Sequence, residues 1–184
     1  YLINFLMTKI IKTDFQGLYI FKYKNFFDKR GLFREVFKKK KGKENEFIFD
    51  CFSISKKKVI RGLHYQLKNS QAHFVTIVKG KIFEVALDLR KKSNTFGKVF
   101  TIILSPDKNT SAYIPKGFAH GFCGLAKENI VLYKISKFTD KKNEVGILWN
   151  DKDLNIAWPF KKPIVSKKDK KNINFNKLLD KLRL

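Results

Sequence analysis

Three histidines, His64, His73 and His120, are all the imidazole this chain of 184 residues contains, so any histidine chemistry rests on them. His64 lies in Val59-Ile60-Arg61-Gly62-Leu63-His64-Tyr65-Gln66, and His120 follows Pro115 and Gly117 in Ile114-Pro115-Lys116-Gly117-Phe118-Ala119-His120. An imidazole titrates near neutral pH and serves as acid, base or metal ligand. A single histidine in an apolar stretch is also readily a satisfied core residue. The three stand apart with no His-x-His pair, and Cys51 and Cys123 make no Cys-x-x-Cys motif. Neither a zinc site nor a disulfide framework is expected, and free thiols fit a reducing, cytoplasmic setting. There is no glycine-rich phosphate loop, so a phosphorylated ligand would be held by side chains.

The elements that must position these groups read as strands. Short β-branched and aromatic runs alternate with turn signals, which favours an all-β barrel or sandwich. The strands predicted are 17–23, 47–54, 73–78, 81–89, 99–104, 111–114, 121–125, 130–138 and 146–149, with Lys79-Gly80 as a tight hairpin turn. Phe175, Leu178, Leu179 and Leu182 recur at helical spacing, which predicts a short C-terminal helix packed across the barrel. No internal repeat or boundary divides the chain, so 1–184 is expected to form one domain. The apolar start at 1–6 is too short for a signal segment or a membrane span, and Met7 reads as a natural start.

A hydrophobic share of 43% with 15% aromatic residues is enough to fill a core and speaks against disorder. The formal charge of +24, from 40 Lys and Arg against 16 Asp and Glu, would by itself suggest a polyanion partner. It is nearly all lysine in short runs such as Lys38 to Lys41 and Lys56 to Lys58, however, whereas phosphate and base readers favour clustered arginine. A solvated lysine-rich surface is the better reading, with neither nucleic acid nor membrane as partner.

Several ordered stretches carry a resemblance. They are Asp28-Lys29-Arg30-Gly31-Leu32-Phe33-Arg34-Glu35, Arg61-Gly62-Leu63-His64-Tyr65-Gln66, Val85-Ala86-Leu87-Asp88-Leu89-Arg90 and Ser93-Asn94-Thr95-Phe96-Gly97-Lys98. Ile114 to Phe122, Leu132-Tyr133-Lys134, Leu148-Trp149-Asn150-Asp151 and Ile156-Ala157-Trp158-Pro159 continue the series. The Pro-x-Gly-x-x-His spacing resembles the second cupin signature, and the whole, from about Met7 to about Asp169, resembles the dTDP-4-dehydrorhamnose 3,5-epimerase family. The resemblance implies a cupin or jelly-roll β-barrel with a short C-terminal helix, acting without cofactor or metal on a dTDP-4-keto-6-deoxyhexose for rhamnose-type polysaccharide synthesis. Metal-binding cupins carry a His-x-His pair and a carboxylate that this chain lacks. Inverting a carbon beside a ketone requires a base for the α-proton, a group that stabilises the enolate oxygen, and an acid on the opposite face. By resemblance the base is His64 oriented by Asp169, and the acid is Tyr133. Arg61 would be the fixed cation beside the enolate or the diphosphate. Phe26 would stack on the base, and Arg30, Glu35, Glu144 and Lys168 would contact the nucleotide and diphosphate, with His120 also in the pocket. The resemblance further implies a homodimer made by exchanged N-terminal strands, with Phe26 to Glu35 reaching the pocket across the interface.

Some pocket positions depart from the family. Its Gln-x-Asn is Phe49-Asp50-Cys51 here, an active-site Lys is His73, a nearby Asp is Glu84, and a Tyr after the acid is Phe138. With Lys79-Gly80 as a two-residue hairpin, Val75 would face Glu84 and His73 would lie diagonally beside it, which predicts a compensating His73–Glu84 pair. Other readings stay open: a mono-epimerase acting at C3 or C5, a 3,4-ketoisomerase, and a non-catalytic cupin that binds sugar nucleotides or polyanions.

Overall fold

The computed structural model describes residues 8–38 and 47–182. The sequence readings on 1–7 and on Lys39 to Lys41 lie outside those residues. The architecture is a β-sandwich rolled into a barrel, as the strand pattern predicts. One sheet holds six strands in the order β1 (Thr8–Lys12), β2 (Tyr19–Tyr23), β10 (Thr110–Ile114), β7 (His73–Lys79), β12 (Glu128–Ile135) and β5 (Phe49–Lys56). The facing sheet runs β13 (Glu144–Gly146), β6 (Val59–Gln66), β11 (Phe118–Gly124), β8 (Ile82–Asp88) and β9 (Val99–Leu104), with β14 (Ile164–Val165) added in parallel to β6. A two-stranded hairpin of β3 (Phe26–Asp28) and β4 (Gly31–Phe33) stands apart from both sheets.

Strand alternation sorts the side chains into three apolar layers. Leu18, Val75, Ile77, Ile82, Ala86, Ile114, Phe118, Phe122 and Val131 fill the space between the sheets. Leu63, Val85, Leu87, Ala119 and Ile147 point to the outer side of the second sheet, where the C-terminal segment covers them. Helix α1 (Phe175–Lys181) contributes Leu178 to that layer, fully buried, and Asn174 caps it by accepting from the Lys177 amide at 2.9 Å. Tyr23, Phe47 and Phe74 form a smaller aromatic cluster on the other sheet.

Strands β1, β3, β4 and β14 carry no sequence expectation, and the strand expected at 146–149 is β13 at 144–146, shifted toward the N-terminus; two further differences bear on the site. Val59–Gln66, which carries His64, is a strand in its own right, although its mixture of charges, glycine and aromatics masks the period-two signal. Lys79-Gly80 is no hairpin: β7 pairs with β10 and β12, whereas β8 pairs with β11 and β9, so the chain crosses from one sheet to the other there. Gly80 has φ +86°, and a Cβ would strike the Glu128 carbonyl and Asn129. Asn129, wholly buried, braces this corner by accepting from the amides of Lys81 and Ala126 and donating to the Ser55 and Ala126 carbonyls.

Candidate active site

Side chains from both sheets and from the segment after β14 enclose a cavity of about 620 Å³. From the first sheet come Cys51, Ser53, His73, Tyr133 and Ile135; from the second, Arg61, His64, His120 and Phe122; and from the later segment Ser166, Lys168 and Asp169. A smaller chamber of about 160 Å³ shares the three histidines and includes Gln66, Ser70 and Glu144.

Arg61 and His64 are three apart, and in a regular strand they would face opposite sides of the sheet. A register irregularity between β6 and β11 resolves this: Phe122 lies opposite Arg61, yet His120 lies opposite His64. Gly62 makes the bulge with φ +112°, and a Cβ there would collide with Gly121 and the His120 carbonyl. Both side chains therefore line the cavity. Arg61 is anchored along the wall, its Nε donating to Ser55 Oγ at 2.9 Å and an Nη to the Ile54 carbonyl at 3.2 Å.

His64 Nε2 lies 2.8 Å from Asp169 Oδ1. Asp169, in a short 3-10 turn and only 6% exposed at its side chain, feels burial working against its charge. Hydrogen bonding from His64, Ser166 and the Gly62 backbone overcomes that and holds the carboxyl below the usual carboxylate range. An ionised carboxylate only accepts, so Nε2 donates to it, and in the neutral form of the ring the lone pair falls on Nδ1. In the other sheet, Tyr133 pairs in register with Cys51 and Val75, and its hydroxyl lies 3.0 Å from Ser53 Oγ. Burial foremost pushes the Tyr133 phenol well above its ordinary range, against the Ser53 hydrogen bond, so it is a protonated donor at neutral pH.

The expected His73–Glu84 pair does not form. Because β7 and β8 lie in different sheets, Glu84, 1% exposed, turns instead to His120, whose Nδ1 is 3.0 Å from Glu84 Oε1. These two sit diagonally across the β8–β11 ladder, where Phe122 faces Glu84 and His120 faces Ala86. Burial pushes the Glu84 carboxyl up, and His120 opposes that. His73 approaches the same group from the opposite sheet, its ring centroid 4.3 Å from that of His120.

Other expected residues are placed as follows. Cys51 lines the cavity, and burial followed by the charge of Asp50 raises its thiol. Phe49 is not in the lining; its ring stacks on Phe138 at 5.6 Å and 9°, so two departures from the family pattern are neighbours in space. Lys168 and Glu144 pair with each other at 2.6 Å, linking the two chambers. Phe26, Arg30 and Glu35 stand outside the cavity lining, on the β3–β4 hairpin and the segment after it. There Arg30 pairs with Asp28 and Glu35 with Lys38. Sequence reading missed Ser53 and Ser55, although period two from Phe49 and Cys51 puts both on the inner face of β5. Ser166, which accepts from the Asp169 amide at 2.9 Å, left no such signal. Among the described residues no group of three or more His, Cys, Asp or Glu side chains is arranged to hold a metal ion.

Fold and site together define a cupin-type jelly roll whose interior carries acid–base side chains on two facing walls. A sequence profile described as dTDP-4-dehydrorhamnose 3,5-epimerase matches residues 12–177. The Shigella flexneri protein of that name is 45% identical over 177 residues, covering 93% of this chain and 96% of the relative. Among solved structures, the Legionella pneumophila dTDP-6-deoxy-D-glucose-3,5-epimerase in complex with dTDP-4-keto-L-rhamnose superposes with a TM-score of 0.89. The two are 36% identical, and the match covers 95% of this chain and 96% of that one. The Bacillus anthracis dTDP-4-dehydrorhamnose 3,5-epimerase with TDP and PPi bound gives a TM-score of 0.86 at 38% identity, over 91% and 99%. The chain belongs to the dTDP-4-dehydrorhamnose 3,5-epimerase family, a family of isomerases.

Proposed function

We propose that this protein epimerises C3 and C5 of a dTDP-4-keto-6-deoxyhexose by deprotonating and reprotonating the carbons that flank the ketone. The observation that carries this reading is the His64–Asp169 pair and the protonated Tyr133 lining one cavity from different sheets. His64 Nδ1 takes the α-proton, and the imidazolium so formed is held by the Asp169 carboxylate. Tyr133 then gives its proton to the carbon from the opposite face, and Ser53 holds the phenol in place. Arg61 and Lys168, both lining the cavity, supply fixed positive charge for the diphosphate, and the Lys168–Glu144 pair opens to admit it.

Phe26, Arg30 and Glu35 act in the partner's pocket of a homodimer. Support for this comes from the β3–β4 hairpin, which exposes Phe27, Leu32 and Phe33 at 50% or more. The reaction fits the cytoplasm, where nucleotide sugars are made; no helix among the described residues is long and apolar enough to cross a membrane. Incubation with dTDP-4-keto-6-deoxyglucose in deuterated water tests the reading. An epimerase introduces deuterium at C3 and C5 and inverts both centres; unlabelled sugar recovered after saturating binding refutes it, and label at one carbon only reduces the activity to mono-epimerisation.

A further inference from the structure

Positive charge gathers around the mouth of the larger cavity. Residues 56–61 and 161–171 hold nine lysines and Arg61 against one carboxylate, that of Asp169, whereas the whole chain has 40 Lys and Arg to 16 Asp and Glu. The fold brings the two segments together: β14 runs parallel to the start of β6, with Ile164 opposite Val59 and Val165 opposite Ile60. The Ile164 amide donates to the Lys58 carbonyl at 2.8 Å, and the ammonium groups of Lys57 and Lys58 lie 6.0 and 5.8 Å from the centre of the Phe160 ring. Val59, Ile60, Ile164, Val165, Ser166 and Lys168 all line the cavity. Lys57, Lys58, Lys161, Lys162 and Lys167 therefore stand within three residues of its wall, each exposed and none in an ion pair among the described residues. The carboxylates on the framing elements are taken elsewhere: Asp169 is buried against His64, and Asp50, Glu128 and Glu144 pair with Lys134, Lys79 and Lys168.

We propose that these five rim lysines form a capture surface for the diphosphate of an incoming sugar nucleotide, drawing it to the cavity mouth and raising its association rate without holding it in the bound complex. This rests on the epimerase reading above. Arg61 and Lys168 lie in the wall and meet the phosphates only once the ligand has entered. The rim acts earlier, because an exposed charge is felt over a Debye length, about 8 Å at physiological salt. A diphosphate diester carries two negative charges, and a cleft rimmed by one sign of charge raises association rates by about 10- to 10³-fold. Lysine suits this role better than arginine. A hydrated ammonium on a flexible stem attracts the anion without the bidentate contact that would detain it at the rim. Capture of this kind speeds arrival and leaves the rate of departure to the groups inside the cavity.

The test is stopped-flow association of a fluorescent thymidine diphosphate with the full chain and with two variants of equal charge. The rim variant carries Lys57→Gln, Lys161→Gln, Lys162→Gln and Lys167→Gln; Lys58 is kept because it holds a left-handed turn at φ +68°. The control carries Lys98→Gln, Lys152→Gln, Lys177→Gln and Lys181→Gln, exposed positions in and around α1 on the outer side of the second sheet. At about 10 mM ionic strength, where the Debye length is about 30 Å, the rim variant should associate about tenfold more slowly than wild type, with dissociation within about twofold. The control should stay within about twofold of wild type in both rates, and at about 1 M salt all three proteins should converge. Equal association by rim variant and wild type at low salt overturns the proposal, as does the same loss in both variants. A change confined to dissociation, or a deficit that persists at about 1 M salt, overturns it as well. Salt-sensitive capture by a wild type that exchanges no deuterium into a 4-keto sugar nucleotide would instead defeat the epimerase reading alone.

Discussion

Replacing Asp169 by Asn removes one charge and almost no volume from the centre of the proposed reaction. When His64 has taken a proton, an imidazolium and a carboxylate lie 2.8 Å apart. With an effective dielectric of about 20 their attraction is about 6 kcal/mol. His64 is 37% exposed at its side chain, so solvent screens the pair, and about 3 kcal/mol is the better figure for what the charged state gains over the neutral one. That converts to a loss of roughly a hundredfold in the proton-transfer rate. The amide adds a second effect, because its NH2 group, turned toward Nε2, favours the tautomer with the proton on Nδ1, where the lone pair is needed. The assay is single-turnover exchange of solvent deuterium into C3 and C5 at saturating substrate, with His64→Ala defining the floor. Asp169→Asn should fall between wild type and that floor, and Asp169→Asn in the His64→Ala background should lose nothing more. Exchange within about threefold of wild type, or an independent further loss in the double variant, would refute the dyad.

Tyr133→Phe should separate the half-reactions: deuterium exchange without inversion should persist through His64 while kcat for epimerisation drops about 10²- to 10³-fold, as product stereochemistry by NMR would show. Asp88, fully buried at its side chain, loses to burial but gains more from Arg90, Ser93 and Thr95, and its carboxyl sits at about 2 instead of 3.8. Its folded-state value is depressed, so its contribution of about 2 kcal/mol is complete above pH 4 and disappears as pH falls toward 2; urea midpoints across that range should slope less for Asp88→Asn. Leu178→Ala, in the one side chain of α1 that is wholly buried, should cost about 2–4 kcal/mol in urea unfolding while leaving KM unchanged, since the helix packs outside the sheet that forms the pocket wall.

Several strands were legible from residue types and order, and the site residues from the family resemblance. The strand candidates at 73–78, 81–89, 99–104 and 130–138 overlap β7, β8, β9 and β12, because those segments carry runs of β-branched and aromatic residues, near-continuously buried in β7 and β8. His64, Tyr133 and Asp169 were placed by resemblance, and the cavity does gather all three. What could not be read were facts of which strand meets which. A two-residue turn is a local signal, and Lys79-Gly80 carries it, but whether the next strand folds back or crosses to the opposite sheet depends on Asn129 and Glu128, about fifty residues away. With that choice went the partner of Glu84, which is His120 and not His73. Period-two reasoning would likewise have separated Arg61 from His64; the contact of Gly62 with Gly121 across the ladder brings them to one side.

By itself, then, the order of residues determined an all-β chain with a terminal helix, since alternation, turn chemistry and helical spacing are local properties carried by every few residues, while the acid–base groups came from the family resemblance. Tertiary structure alone decided which groups are partners: His64 with Asp169, Glu84 with His120 and Tyr133 with Ser53, while His73 Nδ1 finds no hydrogen-bond partner among the described residues. The reason is physical. Hydrogen bonds and desolvation act over a few ångströms of space, and in a barrel of two facing sheets the residues that come that close are mostly far apart along the chain.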